Sequence, residues 1–250
     1  MERADHRVLG PQLDLFSFSE YSPGVPFWHP RGMIVLNELV SFVRAEWKKR
    51  GYLEVRAPVL LAADLWRRSG HMDAFRAAMF FSESEGRELA LKPMNCPGHC
   101  VLYAERPRSF RDLPLRFAEL SPLHRNEPSG SLNGLKRARS FSQDDAHIFC
   151  REDQVEAEVL AVIGFLREVY PILGFVKEPR VELSLRPPSS VGSDEAWAKA
   201  EAALRSALAR AGLEAKPSPG EGAFYGPKID FFIEDRLGLP CRRIGLIRID

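Results

Sequence analysis

Arg137-Ala138-Arg139-Ser140-Phe141-Ser142-Gln143-Asp144-Asp145-Ala146-His147-Ile148-Phe149 is the stretch on which the reading of this chain turns. Side chains alternate across a strand, so Arg137, Arg139, Phe141, Gln143, Asp145 and His147 are expected on one face. An amide, a carboxylate, an imidazole and guanidinia on one face do not pack against an apolar core. The opposite face, with Asp144, Ala146 and Ile148, is only partly apolar. A solvated outer face therefore fits the alternation as well as a polar ligand site does.

Working outward, a second extended run begins near Leu113, and the turn-rich stretch Asn126 to Gly134 lies between the two. This order predicts a long antiparallel hairpin over Leu113 to Phe149. Its first arm carries Arg125 and Glu127. A guanidinium suits a phosphate because its planar fork makes two parallel hydrogen bonds and never loses its charge. The loop Ser129-Gly130-Ser131 is expected to offer small residues and free backbone N–H groups to a nucleotide. Taken alone, one arginine beside such a loop is more often surface than site.

The flanking sequence supplies helices. From Met33 onward, Leu36, Leu39, Val40, Val43 and Trp47 recur at helical spacing, and Lys48 to Arg50 followed by Gly51 end the helix. Leu53, Val55 and Ala57 then alternate as a strand that Pro58 closes, as expected near a sheet edge. After the hairpin, Val155, Val159, Val162, Ile163 and Leu166 mark a second helix. Ser193 is the expected N-cap of a third, which carries Trp197, Ala200, Leu204 and Leu208 and stops at Gly212. Ile229, Phe231 and Ile233 alternate as a strand, and Ile244 to Asp250 reads as another. Residues 1–31 read as a lead-in segment packing on the core, and 32–250 as one domain. The expected class is α+β, a mostly antiparallel sheet flanked by helices.

Composition limits the functions available. The 250 residues include 35 Lys plus Arg and 34 Asp plus Glu, a net charge of +1, so no strong overall field draws in a polyanion. Any nucleic-acid contact is expected to be local. Four scattered cysteines, Cys96, Cys100, Cys150 and Cys241, with no signal peptide or long apolar span, suggest a reducing cytoplasm and no membrane.

Two further stretches could carry chemistry. In Lys92-Pro93-Met94-Asn95-Cys96-Pro97-Gly98-His99, Cys96 and His99 have the spacing of a zinc knuckle, but no second pair exists to close a four-ligand site. An open site with ligands from separate elements remains compatible. In Gly220-Glu221-Gly222-Ala223-Phe224-Tyr225-Gly226-Pro227-Lys228-Ile229-Asp230, three glycines around two aromatics suit a backbone that approaches a small ligand closely. A plain loop with a surface lysine is the bland alternative.

Together these stretches resemble the threonyl-tRNA synthetases, from Asp5-His6-Arg7 to Asp250. The strings are DLFSF (Asp14 to Phe18), PFWHPRG (Pro26 to Gly32), KPMNCPGH (Lys92 to His99), HRNEPSGSL (His124 to Leu132), QDDAHIFC (Gln143 to Cys150) and GEGAFYGPKID (Gly220 to Asp230). Six strings in family order make chance similarity negligible. The resemblance implies the class II aminoacyl-tRNA synthetase catalytic fold, with Gly51 to Pro58 similar to motif 1 at a homodimer interface and Arg125 with the hairpin similar to motif 2. It implies that Arg125 and Lys228 are catalytic and that Arg125, Glu127, Arg137, Phe141 and Gln143 bind ATP. Met94, Asp145, Tyr225 and Lys228 would bind threonine, with Cys96 and His147 as two of three zinc ligands and Mg2+ accompanying ATP. The partner in a full-length enzyme would be tRNA(Thr).

The same resemblance exposes departures. The family's third zinc ligand and motif 3 arginine, like its editing and anticodon-binding regions, lie outside this sequence, so weak zinc binding and no useful pyrophosphate exchange are expected of the chain as given. Where the family has a glutamine facing the substrates, this sequence has Arg248; Ser140 and Asn133 stand for its glycine and histidine. A truncated, non-catalytic paralogue that binds threonine, nucleotide or a protein partner is the alternative, and a relative charging another acceptor is a third.

Overall fold

The computed structural model describes residues 5–175, 177–234 and 240–248, with Glu234, 240–246 and Arg248 described by their backbone. Contacts divide the chain into two compact units, Met1–Phe149 and Cys150–Asp250.

The first unit opens with α1 (His6–Gln12), whose N-cap Asp5 accepts a hydrogen bond from Arg7 N. A two-stranded ribbon, β1 (Phe16–Ser17) with β2 (Phe27–Trp28), leads into α2 (Pro30–Lys49). Proline at the first turn suits a helix start, because its missing N–H is one the helix could not use. Leu36, Val40, Val43 and Trp47 turn inward, whereas Leu39 is exposed. Gly51, at φ +73°, ends the helix in the left-handed region that glycine enters without strain. The lead-in packs on the hairpin loop of the same unit: His6 Nε2 accepts from Leu135 N (3.0 Å), and Arg139 N donates to Gly24 O (2.7 Å).

Next come β3 (Leu53–Glu54), β4 (Leu60–Ala62), α3 (Ala63–Arg68), α4 (His71–Phe75), β5 (Phe81–Ser84) and β6 (Arg87–Leu91). Three of these strands form a sheet in the order β4-β6-β5 over a small core of Ala63, Trp66, Met72, Met79 and Ala90. The strand expected over Leu53 to Ala57 is only two residues long, and it pairs in parallel with Phe117 and Ala118. α5 (Cys96–Ala104) follows, then β7 (Leu115–Glu119), β8 (Pro122–His124), β9 (Ser140–Ser142) and β10 (Asp145–Phe149). β7 pairs antiparallel with β10, and β8 with β9, so the predicted hairpin is present in two paired segments.

The second unit carries α6 (Val155–Ile172), β11 (Arg180–Ser184), α7 (Asp194–Arg210), β12 (Ala215–Ser218), β13 (Lys228–Glu234) and β14 (Pro240–Arg248). The sheet order is β12-β11-β13-β14, antiparallel except between β11 and β12. Val159 and Ile163 of α6 and Leu204, Ala207 and Leu208 of α7 bury against Val181, Leu183, Ile229, Phe231 and Ile247 of the sheet. As expected, Ser193 caps α7, accepting from Ala196 N at 3.2 Å, and Gly212 ends it at φ +64°.

Candidate active site

The hairpin places Arg125 against aromatic rings. Leu123 pairs with Phe141 and His124 with Ser140, and Arg125 N continues the ladder by donating to Arg139 O (2.9 Å). The guanidinium carbon of Arg125 sits 5.1 Å from the centre of the Phe141 ring and 5.9 Å from that of Phe75, within cation–π range. Its Nε donates to Pro93 O at 3.3 Å. Glu127 and Arg137 face each other across the loop, with Arg137 Nε and Nη2 at 2.7 and 2.6 Å from Glu127 Oε2.

Two expectations about this hairpin change. Ser129–Ser131 is a 3-10 turn in which Ser131 N donates to Pro128 O (2.9 Å), so that N–H group is not available to a nucleotide. Arg139 does not point with the candidate ligand groups; its Nε donates to Glu127 O (2.9 Å) and Nη2 to Ser129 Oγ (3.3 Å), which ties the loop together.

The alternation also breaks. β9 ends at Ser142 and β10 begins at Asp145, so exposed Gln143 and Asp144 lie outside both strands. Asp144 Oδ1 accepts from Trp47 Nε1 of α2 at 2.7 Å. A partner nearly a hundred residues away fixes the point at which the strand is interrupted. Asp145 and His147 remain on one face of β10, and a single face running from Arg137 to His147 is not formed.

That face meets α5. Asn95 Nδ2 donates to Asp145 Oδ2 at 2.9 Å, the His99 and His147 rings lie edge to face at 4.6 Å, and Tyr103 stacks on Phe149 at 4.1 Å. Four helical residues rise about 6 Å, and two strand residues rise about 6.6 Å. Asn95, His99 and Tyr103 therefore step along the helix in register with Asp145, His147 and Phe149. Cys96 and Met94 flank Asn95 at the start of this seam, so the amino-acid-binding and metal candidates of the first unit come together at one helix N-terminus.

Beneath the seam is a buried polar network that the sequence reading missed. Glu119, which pairs with Asp145 across the sheet, accepts at Oε1 from Lys92 Nζ (2.8 Å), Ala57 N (3.0 Å) and Ser121 Oγ, and at Oε2 meets His99 Nε2 at 2.8 Å. Lys92, His99, Glu119 and Ser121 are all buried. Burial pushes the Glu119 carboxyl up, but hydrogen bonds from His99, Lys92 and Ser121 outweigh it and hold the group at about 2. Against that carboxylate, His99 Nε2 is the donor. Lys92 and His99 lie in the KPMNCPGH string, which was the available signal; that Lys92 is buried and paired with Glu119 is not visible in spacing, since lysine and glutamate are rarely buried.

A zinc ion is not held by these residues alone. Cys96 and His147 are the two donors the resemblance implies, and catalytic zinc takes three protein ligands. Among the described residues no three His, Cys, Asp or Glu side chains converge to hold a metal ion.

Tyr225 and Lys228 belong to the second unit. The bridge between Ala223 and Gly226 makes a tight turn, with the Phe224 and Tyr225 rings edge to face at 4.5 Å. Lys228 opens β13; its buried Nζ donates to Asp230 Oδ2 (2.8 Å), which also accepts from Ser184 Oγ (2.6 Å). The bland reading of a surface lysine is therefore excluded, and Asp230 and Ser184 are further residues the sequence reading did not single out. Arg248 pairs with Lys228 through its backbone; what its side chain faces lies outside the described residues.

Residues 79–239 match the tRNA synthetase class II core domain (G, H, P, S and T). The chain belongs to this family. Curated relatives named threonine–tRNA ligase carry this synthetase core over its whole length: that of Polynucleobacter asymbioticus is 51% identical over 249 residues, 100% of this chain and 39% of its own. The ligase of Thermotoga maritima is 52% identical over 238 residues, 95% of this chain and 37% of its own. The chain thus spans about two fifths of the length of the curated relatives it matches. A crystal structure described as the RNA binding domain of threonyl-tRNA synthetase from Cryptosporidium parvum aligns at a TM-score of 0.89 and 46% identity, over 96% of this synthetase core and 60% of that chain. A Giardia lamblia prolyl-tRNA synthetase in complex with prolyl-adenylate aligns at 0.68 over 94% of this chain and 42% of that chain, and at 17% identity shares the fold. The expected fold class is the one found.

Proposed function

We propose that this chain is the activating core of a threonine–tRNA ligase. The threonine carboxylate attacks the α-phosphate of ATP, forming threonyl-adenylate and releasing pyrophosphate; a terminal hydroxyl of tRNA(Thr) then takes the threonyl group and releases AMP. No covalent enzyme intermediate is needed, because positioning and charge neutralisation supply the rate.

The observation that carries this reading is Arg125, held against the Phe141 ring beside the Glu127–Arg137 pair. An aromatic face next to fixed guanidinia suits a nucleotide, whose base stacks and whose phosphates take two parallel hydrogen bonds. In this reading Arg125 neutralises the α-phosphate, and Glu127, Arg137, Phe141 and Gln143 seat the nucleotide with Mg2+. Met94, Asp145, Tyr225 and Lys228 bind threonine, with Lys228 adding charge near the reacting carboxylate. Cys96 and His147 would contribute two ligands to a zinc ion, which when bound favours threonine over valine by taking its amino and hydroxyl groups. The working form is a cytoplasmic homodimer. Relatives named threonine–tRNA ligase, near 50% identical over the whole chain, support the choice of threonine.

Titration calorimetry with ATP and with a non-hydrolysable threonyl-adenylate analogue tests it. Binding of the analogue in preference to its prolyl and seryl counterparts is expected; no binding of either nucleotide would overturn the assignment.

A further inference from the structure

We propose that Asn95 is a specificity-positioning residue, which holds the Asp145 carboxylate so that its second oxygen is presented to a substrate hydroxyl. The inference rests on Asp145 lining the threonine pocket, and adds the residue that aims it.

Asn95 is about 1% exposed and stands at the N-cap of α5. Asparagine there ordinarily caps the helix with its side-chain oxygen. In this helix the side chain makes no capping hydrogen bond, and its Oδ1 is buried without a hydrogen-bond partner. Among the described residues the one hydrogen bond of its side chain is the donation from Nδ2 to Asp145 Oδ2 at 2.9 Å. The side chain is thus committed to Asp145 at the expense of the helix, and a buried polar atom left unpaired is a cost that a purely structural residue would avoid.

The geometry leaves Asp145 half used. It is half-buried, and among the described residues no hydrogen bond reaches its Oδ1. The amide occupies one oxygen and fixes the carboxylate plane, while the other stays open to accept from a hydroxyl. Asn95 cannot drift, because His99 against His147 and Tyr103 against Phe149 lock α5 to β10 one and two turns further along. Threonine offers a hydroxyl where valine offers a methyl, and a site built to accept that hydroxyl rejects valine because the oxygen would stay unpaired. A carboxylate free to rotate would lose much of that discrimination.

The test uses Asn95→Ala and Asn95→Ser, the second keeping a capping residue too short to span to Asp145. Dissociation constants for threonyl- and valyl-adenylate analogues would be measured by calorimetry on the full chain, alongside thermal melting. The threonyl-over-valyl preference is expected to fall by about tenfold or more, with valyl binding unchanged. Equal weakening of both analogues, an unchanged preference, or failure of both variants to fold would each overturn the inference, the last two outcomes leaving the proposed function standing. Wild-type chain that binds neither analogue would instead remove the reading beneath it.

Discussion

Lys92 Nζ lies 2.8 Å from Glu119 Oε1, and each side chain is about 1% exposed. Ala57 N, Ser121 Oγ and His99 Nε2 fill the remaining acceptor positions of the carboxylate. Lys92 follows β6, Ala57 follows β3 and His99 rides on α5, so one carboxylate on β7 ties together separate elements of the first unit. Such a network is worth having only when complete, because in a low dielectric an uncompensated charge costs far more than the pair gains.

Glu119→Gln and Lys92→Met should therefore each destabilise the protein by about 3–5 kcal/mol, as breaking one side of a buried pair does. The double variant is expected to lose less than the two singles together, since it removes both charges of the pair where each single strands one. Urea unfolding of the three variants measures this; additive losses would mean that the pair is not coupled.

Acid should act through the same residue. The Glu119 carboxyl lies at about 2 in the folded chain, below its ordinary 4.5, so its contribution is complete above about pH 4.5 and disappears as the pH falls toward 2. The unfolding midpoint of the wild type should fall across that window, and Glu119→Gln should flatten the fall. A wild-type midpoint independent of pH in that window would contradict the network.

The sequence shows the hairpin, α2, α6 and α7 clearly because their signals are local. Turn residues separate the hairpin arms, Gly51 and Gly212 stop helices, and Ser193 caps one. The interruption at Gln143–Asp144 is not legible, because Trp47 Nε1 imposes it from another element. The shortness of β3 and the β4-β6-β5 sheet were missed for a related reason: short strands carry too few alternations to register. In the site, alternation found Asp145 and His147 but also grouped Arg139 with them, although it ties the loop together. Asn95, Glu119 and Asp230 escaped notice because what marks them is burial with a named partner, which spacing does not encode.

Close packing in the second unit makes Gly222 irreplaceable. A Cβ there would sit 2.6 Å from Leu185 O, a backbone atom that cannot swing aside. Gly222→Ala should cost about 1–3 kcal/mol, read as a lower melting temperature, and should disturb the turn that carries Tyr225. Unchanged melting would show that the loop relaxes freely.

The dimer proposal has a surface to test. Ile34 (65% exposed) and Leu39 (45%) leave apolar side chains of α2 outside the core, and Leu53 (53%) does the same on β3, a sheet edge. Apolar side chains left exposed in this way suit an association surface. The wild type is expected to sediment as a dimer at micromolar concentration, and Ile34→Glu with Leu39→Glu as a monomer with its melting little changed. A monomeric wild type would dispose of the interface.

Arg125→Ala is the most direct probe of the nucleotide site. The guanidinium is set between the Phe141 and Phe75 rings, and its Nε is anchored on Pro93 O, so it is positioned before any ligand arrives. Preorganised charge of this kind stabilises a phosphate without reorganisation at the moment of binding. Neighbouring Arg137 is committed to Glu127 and Arg139 to the loop backbone, so neither can take its place. Losing its charge-assisted hydrogen bonds should weaken ATP and the threonyl-adenylate analogue by at least about tenfold, while the melting temperature stays close to that of the wild type because the rings can close over the space. Arg125→Lys should recover only part of the affinity, since an ammonium keeps the charge but not the two-pronged geometry. Calorimetry on the three proteins decides it: equal affinities would remove the hairpin from the nucleotide site, and full recovery by lysine would reduce the role of Arg125 to charge alone.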